Sequence, residues 1–289
     1  MRRLRSVLFV PGTRADRFSR ALAAGADAVV FDLEDSVEPG RKDDARGSIG
    51  EFFAVSAGSR AGSLRFVRVN GASSAWWADD VRFVRGVPGV DAVVLPKAES
   101  PDQVTATAAS ATGAAAVPVL PLLETPRGIL HAAAIAAAAA DVPALLFGAE
   151  DLTAALGVPR SIDGEELLFA RSQVVLAAAS AGADAVDAVF TDIASTDGLR
   201  RDALRARGLG FHGKMAIHPD QIATIHDVFT PTAAELARAR RVVDAYDAAL
   251  GAGSGVIRLD DQMVDVPVAT RARKLLELAK NITRTNASP

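Results

Sequence analysis

The chain has 289 residues, 49% of them hydrophobic, enough to bury a full core, and the length suits one α/β barrel with a tail. A formal net charge of -3, with acids and bases mixed along the sequence, excludes the charge footprint of a nucleic-acid or anionic-membrane binder. With no cysteine, disulfides, thiolate nucleophiles and cysteine-ligated zinc are excluded as well.

The start, Met1-Arg2-Arg3-Leu4-Arg5, is basic, but the apolar stretch after it stops at Pro11-Gly12, too short for the core of a signal peptide. Asp, Pro or Gly interrupts every run before it reaches the roughly 20 apolar residues of a membrane helix. The expectation is a soluble, cytoplasmic protein.

Short, nearly continuous apolar runs then alternate with longer Ala- and Arg-rich stretches. Strands are predicted at 6–10, 28–33, 64–70, 92–96, 117–123, 144–148, 185–190 and 213–217. Such runs suit strands buried on both faces, and the stretches between them supply the crossovers that parallel strands need. Helices are predicted at 14–24, 43–53, 76–84, 101–111, 128–140, 165–181 and 199–207, several opening at Pro or an acid and closing at Gly. The alanine-rich stretch 131–140 reads as a helix whose small side chains let it lie close to a sheet. Eight βα units predict a TIM (β/α)8 barrel over 1–230. Beyond it, 219–226 and 231–250 read as further helices. Gly251 to Gly255 read as a hinge, and 256–267 with a last helix at 269–281 form a lid-like C-terminal arm within 231–289.

Two carboxylates stand at the C-terminal ends of apolar runs: Glu124 after 117–123, and Asp151 after 144–147. On neighbouring barrel strands they would share the rim where this architecture places its chemistry. Two like charges about 4 Å apart repel by roughly 4 kcal/mol at an effective dielectric near 20, so the pair calls for a shared proton or a cation. A hard divalent ion such as magnesium is held by one or two carboxylates and keeps its other positions for water and substrate. The competing reading makes each acid the cap of the helix that follows.

Arg68 is a cation inside an apolar strand. Its planar fork suits a substrate carboxylate or a developing enolate oxygen, or else an internal salt bridge to Asp32 or Glu34; the two coexist without conflict. Glu34 and Asp35 are assigned to orienting the arginine or water on the metal. Near the start, a strand runs through Pro11-Gly12 into a helix bearing Arg14, Arg17 and Arg20, which reads as an anion site for the phosphates of a nucleotide-like cofactor, or as a solvated basic face. His218 either fixes the turn before Pro219 or contacts a thioester or CoA. Zinc spacings of histidine, a Walker loop and a Gly-x-Ser-x-Gly elbow are absent from the sequence.

The motifs LFVPG, VFDLEDSV, VRVN, LPKAES, LLETPRG, FGAEDL, GKMAIHPDQI and MVDVP occur in that order over residues 7–267. As a set they resemble the citrate lyase beta-subunit-like branch of the HpcH/HpaI aldolase family. The resemblance implies a magnesium-dependent TIM barrel, commonly a homotrimer, acting on CoA thioesters of hydroxy acids. Such members cleave or form malyl-, citramalyl- or citryl-CoA by Claisen chemistry, with a 2-oxo acid or dicarboxylate as the other ligand, and some hydrolyse the thioester. It places Glu124 and Asp151 as metal ligands, with Glu124 and Arg68 also at the substrate. Phe9, Arg14 and Arg20 fall at CoA, and Ile217 and His218 beside the substrate. Asp265 matches the catalytic aspartate of the C-terminal arm. Its retention resembles a free-standing CoA-ester lyase rather than a subunit with a shortened C-terminus. The chain departs from the pattern just before Met263, where Asp261-Gln262 stands in place of an expected glycine at the arm's turn. A malyl-CoA-type thioesterase, an aldolase on free oxo acids and a non-catalytic CoA-ester- or dicarboxylate-binding subunit stay open as alternatives.

Overall fold

A computed structural model describes residues 4–56, 62–113, 116–138 and 142–286. Eight strands, β1 (Ser6–Pro11), β2 (Ala28–Asp32), β3 (Leu64–Arg68), β4 (Ala92–Leu95), β5 (Val119–Leu123), β6 (Ala144–Phe147), β7 (Asp184–Asp187) and β8 (Gly213–Ala216), close into a barrel in sequence order. Every neighbouring pair is parallel, including β1 with β8. The crossovers carry α1 (Ala15–Ala23), α2 (Lys42–Val55), α3 (Trp77–Gly86), α4 (Pro101–Ala111), α5 (Pro126–Leu130), α6 (Ala132–Ala136), α7 (Ala149–Leu156), α8 (Leu168–Ala181), α9 (Thr196–Leu209) and α10 (Gln221–Phe229).

Alternation along each strand sorts the core into two layers. Val7, Val30, Phe66, Val94, Leu122, Leu146 and Met215 belong to the inner cluster, and Leu8, Phe31, Val67, Leu95 and Phe147 to the outer one shared with the helices. Carried forward by two residues, the inner parity reaches Asp32, Arg68 and Glu124. Charged side chains therefore follow apolar ones at the C-terminal end of the lumen, and Asp32 pairs in register with Arg68.

Six of the eight strands end short of their expected bounds, and after β3 and β8 rim residues leave the ladder for side-chain partners. Asn70 donates its backbone N–H to Asp80 Oδ2 at 2.7 Å, and the N–H groups of Ile217 and His218 go to Gln221 Oε1. The helix expected at 128–140 starts at Pro126 and breaks at His131 into α5 and α6, with 139 and 140 outside the described residues. Gly128 lies so close to the preceding loop that a Cβ there would meet the Ala98 carbonyl at 2.4 Å.

The barrel unit runs to Phe229, and a second unit begins at Thr230. This unit holds α11 (Ala233–Gly251), opened by a Thr232–Glu235 capping box, the antiparallel pair β9 (Ile257–Leu259) and β10 (Gln262–Val264), and α12 (Val266–Asn286). The stretch after the glycines forms a hairpin, an element not assigned from the sequence. Its turn needs no glycine: Asp260 and Asp261 take φ of 48° and 59° themselves, as the short polar side chains of Asp and Asn tolerate. Among the described residues, no helix is long and apolar enough to cross a membrane.

Candidate active site

Arg68 sits at the end of β3, only 9% exposed, and a guanidinium this buried requires anions. Asp32, its register partner, supplies one carboxylate through both oxygens: Arg68 Nε donates to Oδ1 at 2.6 Å and Nη2 to Oδ2 at 2.8 Å. Asp32 also accepts the N–H of Glu34 at 2.9 Å and the Ser36 hydroxyl, so its orientation is fixed before any ligand arrives. Burial alone would raise the Asp32 pKa, but Arg68 holds it below the usual carboxylate range, and the same partners hold the arginine firmly charged. Glu34 Oε2 lies 2.8 Å from Arg68 Nη1, close enough for attraction yet not aligned as a hydrogen bond. The ring of Phe9 covers the guanidinium at 5.2 Å.

Glu124 follows β5 and Asp151 follows the adjacent β6. Glu124 caps nothing: the cap of α5 is Thr125, whose hydroxyl accepts the Gly128 N–H at 3.0 Å. Asp151 lies within the first turn of α7, which begins already at Ala149, with Gly148 as its N-cap. A Cβ at Gly148 would come within 2.6 Å of Glu124 Oε2, so this glycine makes the space in which the carboxylate stands. Lys97, in the loop after β4, reaches both acids. Its N–H donates to Glu124 Oε1 at 2.9 Å, and its ammonium lies 3.0 Å from Asp151 Oδ2 and against Glu34 Oε1.

Five carboxylates, Asp32, Glu34, Asp35, Glu124 and Asp151, thus meet two cations, Arg68 and Lys97. Burial first, then repulsion from Glu34 and Asp151, pushes the Glu124 pKa up to about 8 despite Arg68 and Lys97. Burial raises Glu34 too. Asp151 Oδ2 is buried and has no aligned hydrogen-bond donor among the described residues. Surplus negative charge, an all-oxygen donor pair and a buried carboxylate oxygen whose partner among the described residues is a half-exposed lysine fit a hard divalent ion. Among the described residues no group of three or more His, Cys, Asp or Glu gathers around one such point. Magnesium does not require one, since it is held by one or two carboxylates and keeps several waters.

A cavity of about 450 Å³ opens over this rim and brings together Phe9, Arg68, Glu124, Asp151 and Ile217. Arg17 lines it, whereas Arg14 is ion-paired with Asp16 and, like Arg20, is not among the lining residues. His218 stays in its own turn, where its Nδ1 accepts the Asp220 N–H at 3.3 Å. Asp265 belongs to the second unit, where its carboxylate accepts the Val268 N–H at 3.3 Å and so caps α12. The sequence reading passed over Lys97 and Gly148 as site residues, and named Arg17 only as one of three arginines of an anion site. Only Lys97 carried a signal, as the one base in the LPKAES motif.

Fold and rim together define a TIM-barrel enzyme with an acidic C-terminal face. The chain belongs to the HpcH/HpaI aldolase/citrate lyase family, whose model matches residues 5–219. It is 40% identical to the citrate lyase subunit beta-like protein of Deinococcus radiodurans, over 94% of this chain and 96% of that one. It is 34% identical to a (3S)-malyl-CoA thioesterase of Cereibacter sphaeroides, over 98% and 97% of the two chains. Among solved structures, the protein CitE from Mycobacterium tuberculosis in complex with magnesium, acetoacetate and coenzyme A superposes with a TM-score of 0.81 at 36% identity, covering 96% of this chain and 98% of that one.

Proposed function

We propose that the protein is a magnesium-dependent carbon–carbon lyase acting on a 3-hydroxy-3-carboxyacyl-type CoA thioester such as malyl-, citramalyl- or citryl-CoA. The products are acetyl-CoA and a 2-oxo acid, and the reaction is reversible Claisen chemistry. One observation carries this reading: Glu124 and Asp151 border one cavity with the buried Arg68, at a rim where carboxylates outnumber their cations. The magnesium, acetoacetate and coenzyme A of the CitE complex support the choice of ion and ligands.

Magnesium held by Glu124 and Asp151 would supply Lewis-acid charge for the hydroxyl and carboxylate oxygens of the substrate. Arg68, held rigid by Asp32, stabilises negative charge as it develops on the thioester oxygen, without reorganising at that moment. Phe9 covers one face of the guanidinium and keeps water from it. The substrate hydroxyl gives its proton to water as its oxygen becomes the carbonyl of the 2-oxo acid, and the electron pair of the breaking carbon–carbon bond passes to the thioester enolate, whose carbon then takes a proton. That proton is assigned to Asp265 on the resemblance of MVDVP, and in the condensing direction the same carboxylate removes it. The arginines of α1 are assigned to CoA phosphates, with Arg17 nearest the cavity.

Incubation with a panel of CoA thioesters, with and without magnesium, tests the reading by mass of the products. Acetyl-CoA with a 2-oxo acid, formed only with the metal, is the expected outcome. The malyl-CoA thioesterase relative favours hydrolysis as a second reading, which free CoA with intact hydroxy acid would reveal.

A further inference from the structure

Lys97 lines a second cavity of about 500 Å³ together with Glu34, Asp35 and Glu99, and Asp35 belongs to this cavity and to the one over the rim. Its φ of 51° lies in the left-handed region, where a side chain other than Gly, Asn or Asp is costly. The peptide is held there by its N–H bond of 2.9 Å to Glu124 Oε1. The ammonium meanwhile lies 3.0 Å from Asp151 Oδ2, 3.5 Å from Asp35 Oδ1 and against Glu34 Oε1. Lysine charge therefore sits among the very oxygens assigned above to magnesium.

We propose that Lys97 is the counter-ion of the metal-free rim, and that its ammonium leaves Asp151 when a divalent cation enters while its peptide keeps hold of Glu124. Two cations on one carboxylate oxygen repel strongly at this separation, so the two occupants exclude each other. Asp151 Oδ2 has the lysine ammonium beside it at 3.0 Å and no further donor among the described residues, so that oxygen is open to a metal ion once the ammonium leaves. The Lys97 side chain is 40% exposed, and the second cavity offers it space and the carboxylate of Glu99. Competition of this kind lowers metal affinity by the free energy of displacing the lysine. Lys97 is thus a positioning residue that acts through Asp151 and Glu34.

The proposal rests on the metal site of the preceding section, and titration calorimetry with magnesium chloride separates the two. Lys97→Gln is expected to bind magnesium roughly three- to tenfold tighter than the parent, the range for losing one or two half-exposed ion pairs. Lys97→Arg, which keeps the charge, is expected to bind no tighter than the parent, and Asp151→Asn to lose binding. If Lys97→Gln binds equally or more weakly while Asp151→Asn loses binding, the metal site stands and the counter-ion role of Lys97 falls. If Asp151→Asn binds like the parent, both fall. Should Lys97→Gln not fold, Lys97→Asn tests the same point, because asparagine tolerates the left-handed backbone.

Discussion

Gly148 faces Glu124 so closely that a Cβ built on it would lie 2.5 Å from the Glu124 Cβ and 2.6 Å from Oε2. A methyl group here must push the carboxylate aside. Gly148→Ala is therefore expected to weaken magnesium binding at least tenfold and to cost about 1–3 kcal/mol of stability from overpacking. Calorimetry and thermal unfolding read the two effects, and an unchanged affinity would show that Glu124 does not hold the ion.

Arg68 and Asp32 form a buried bidentate pair, so the arginine's geometry matters as well as its charge. Arg68→Lys is expected to fold and to lower kcat about a hundredfold or more, the size seen when a preorganised donor is lost. Arg68→Ala is expected to cost about 3–5 kcal/mol, since Asp32 would be left buried without its partner. A lysine variant with parental kcat would remove Arg68 from the reaction.

These two residues show how much of the site the sequence made legible. Strand alternation alone puts Asp32, Arg68 and Glu124 on the inner face, because each continues an apolar every-second-residue pattern. The eight strands are legible because each is a short, nearly continuous apolar run between helical stretches. Lys97 is not, because its approach to Asp151 depends on a left-handed residue that only the loop geometry dictates. Nor is the choice of Arg17 over Arg14 and Arg20: positions three apart share one helix face, and only the folded chain puts Arg17 at the cavity and Arg14 against Asp16. The hairpin of the second unit stayed hidden because its turn is Asp-Asp, without the glycine that marks such turns.

Between the barrel wall and its helices lies a second charged cluster with a different role. Arg171 donates to Asp187 at 2.8 and 2.9 Å and to Asp202 at 2.9 Å, and Lys214, fully buried, lies 2.6 Å from Asp187 Oδ2. Burial would raise the Asp202 pKa, but Lys214 and Arg171 hold it well below its ordinary value of 3.8. A depressed folded-state pKa contributes stability that is present above the unfolded value and lost as pH falls through the folded one. Thermal unfolding is therefore expected to show a steeper loss of stability below about pH 4 in the parent than in Asp202→Asn, which starts less stable at neutral pH. Parallel acid curves would contradict this. Lys214→Met is expected to cost about 3–5 kcal/mol at neutral pH.

Asp265→Asn tests the proton-transfer assignment separately from the metal. Turnover is expected to fall a hundredfold or more while magnesium affinity stays parental. Because the carboxylate also caps α12, thermal unfolding is expected to register a loss of about 1 kcal/mol or less, as asparagine is itself a good cap. An unchanged rate would remove Asp265 from the chemistry.

The metal site is tested most directly by diffraction from crystals grown with manganese in place of magnesium, using the anomalous signal to locate the ion. The expected result is one strong peak within about 2.0–2.3 Å of carboxylate oxygens from both Glu124 and Asp151, with the Lys97 ammonium turned away. A peak elsewhere, or none at this rim with those oxygens facing apart, would contradict the assignment.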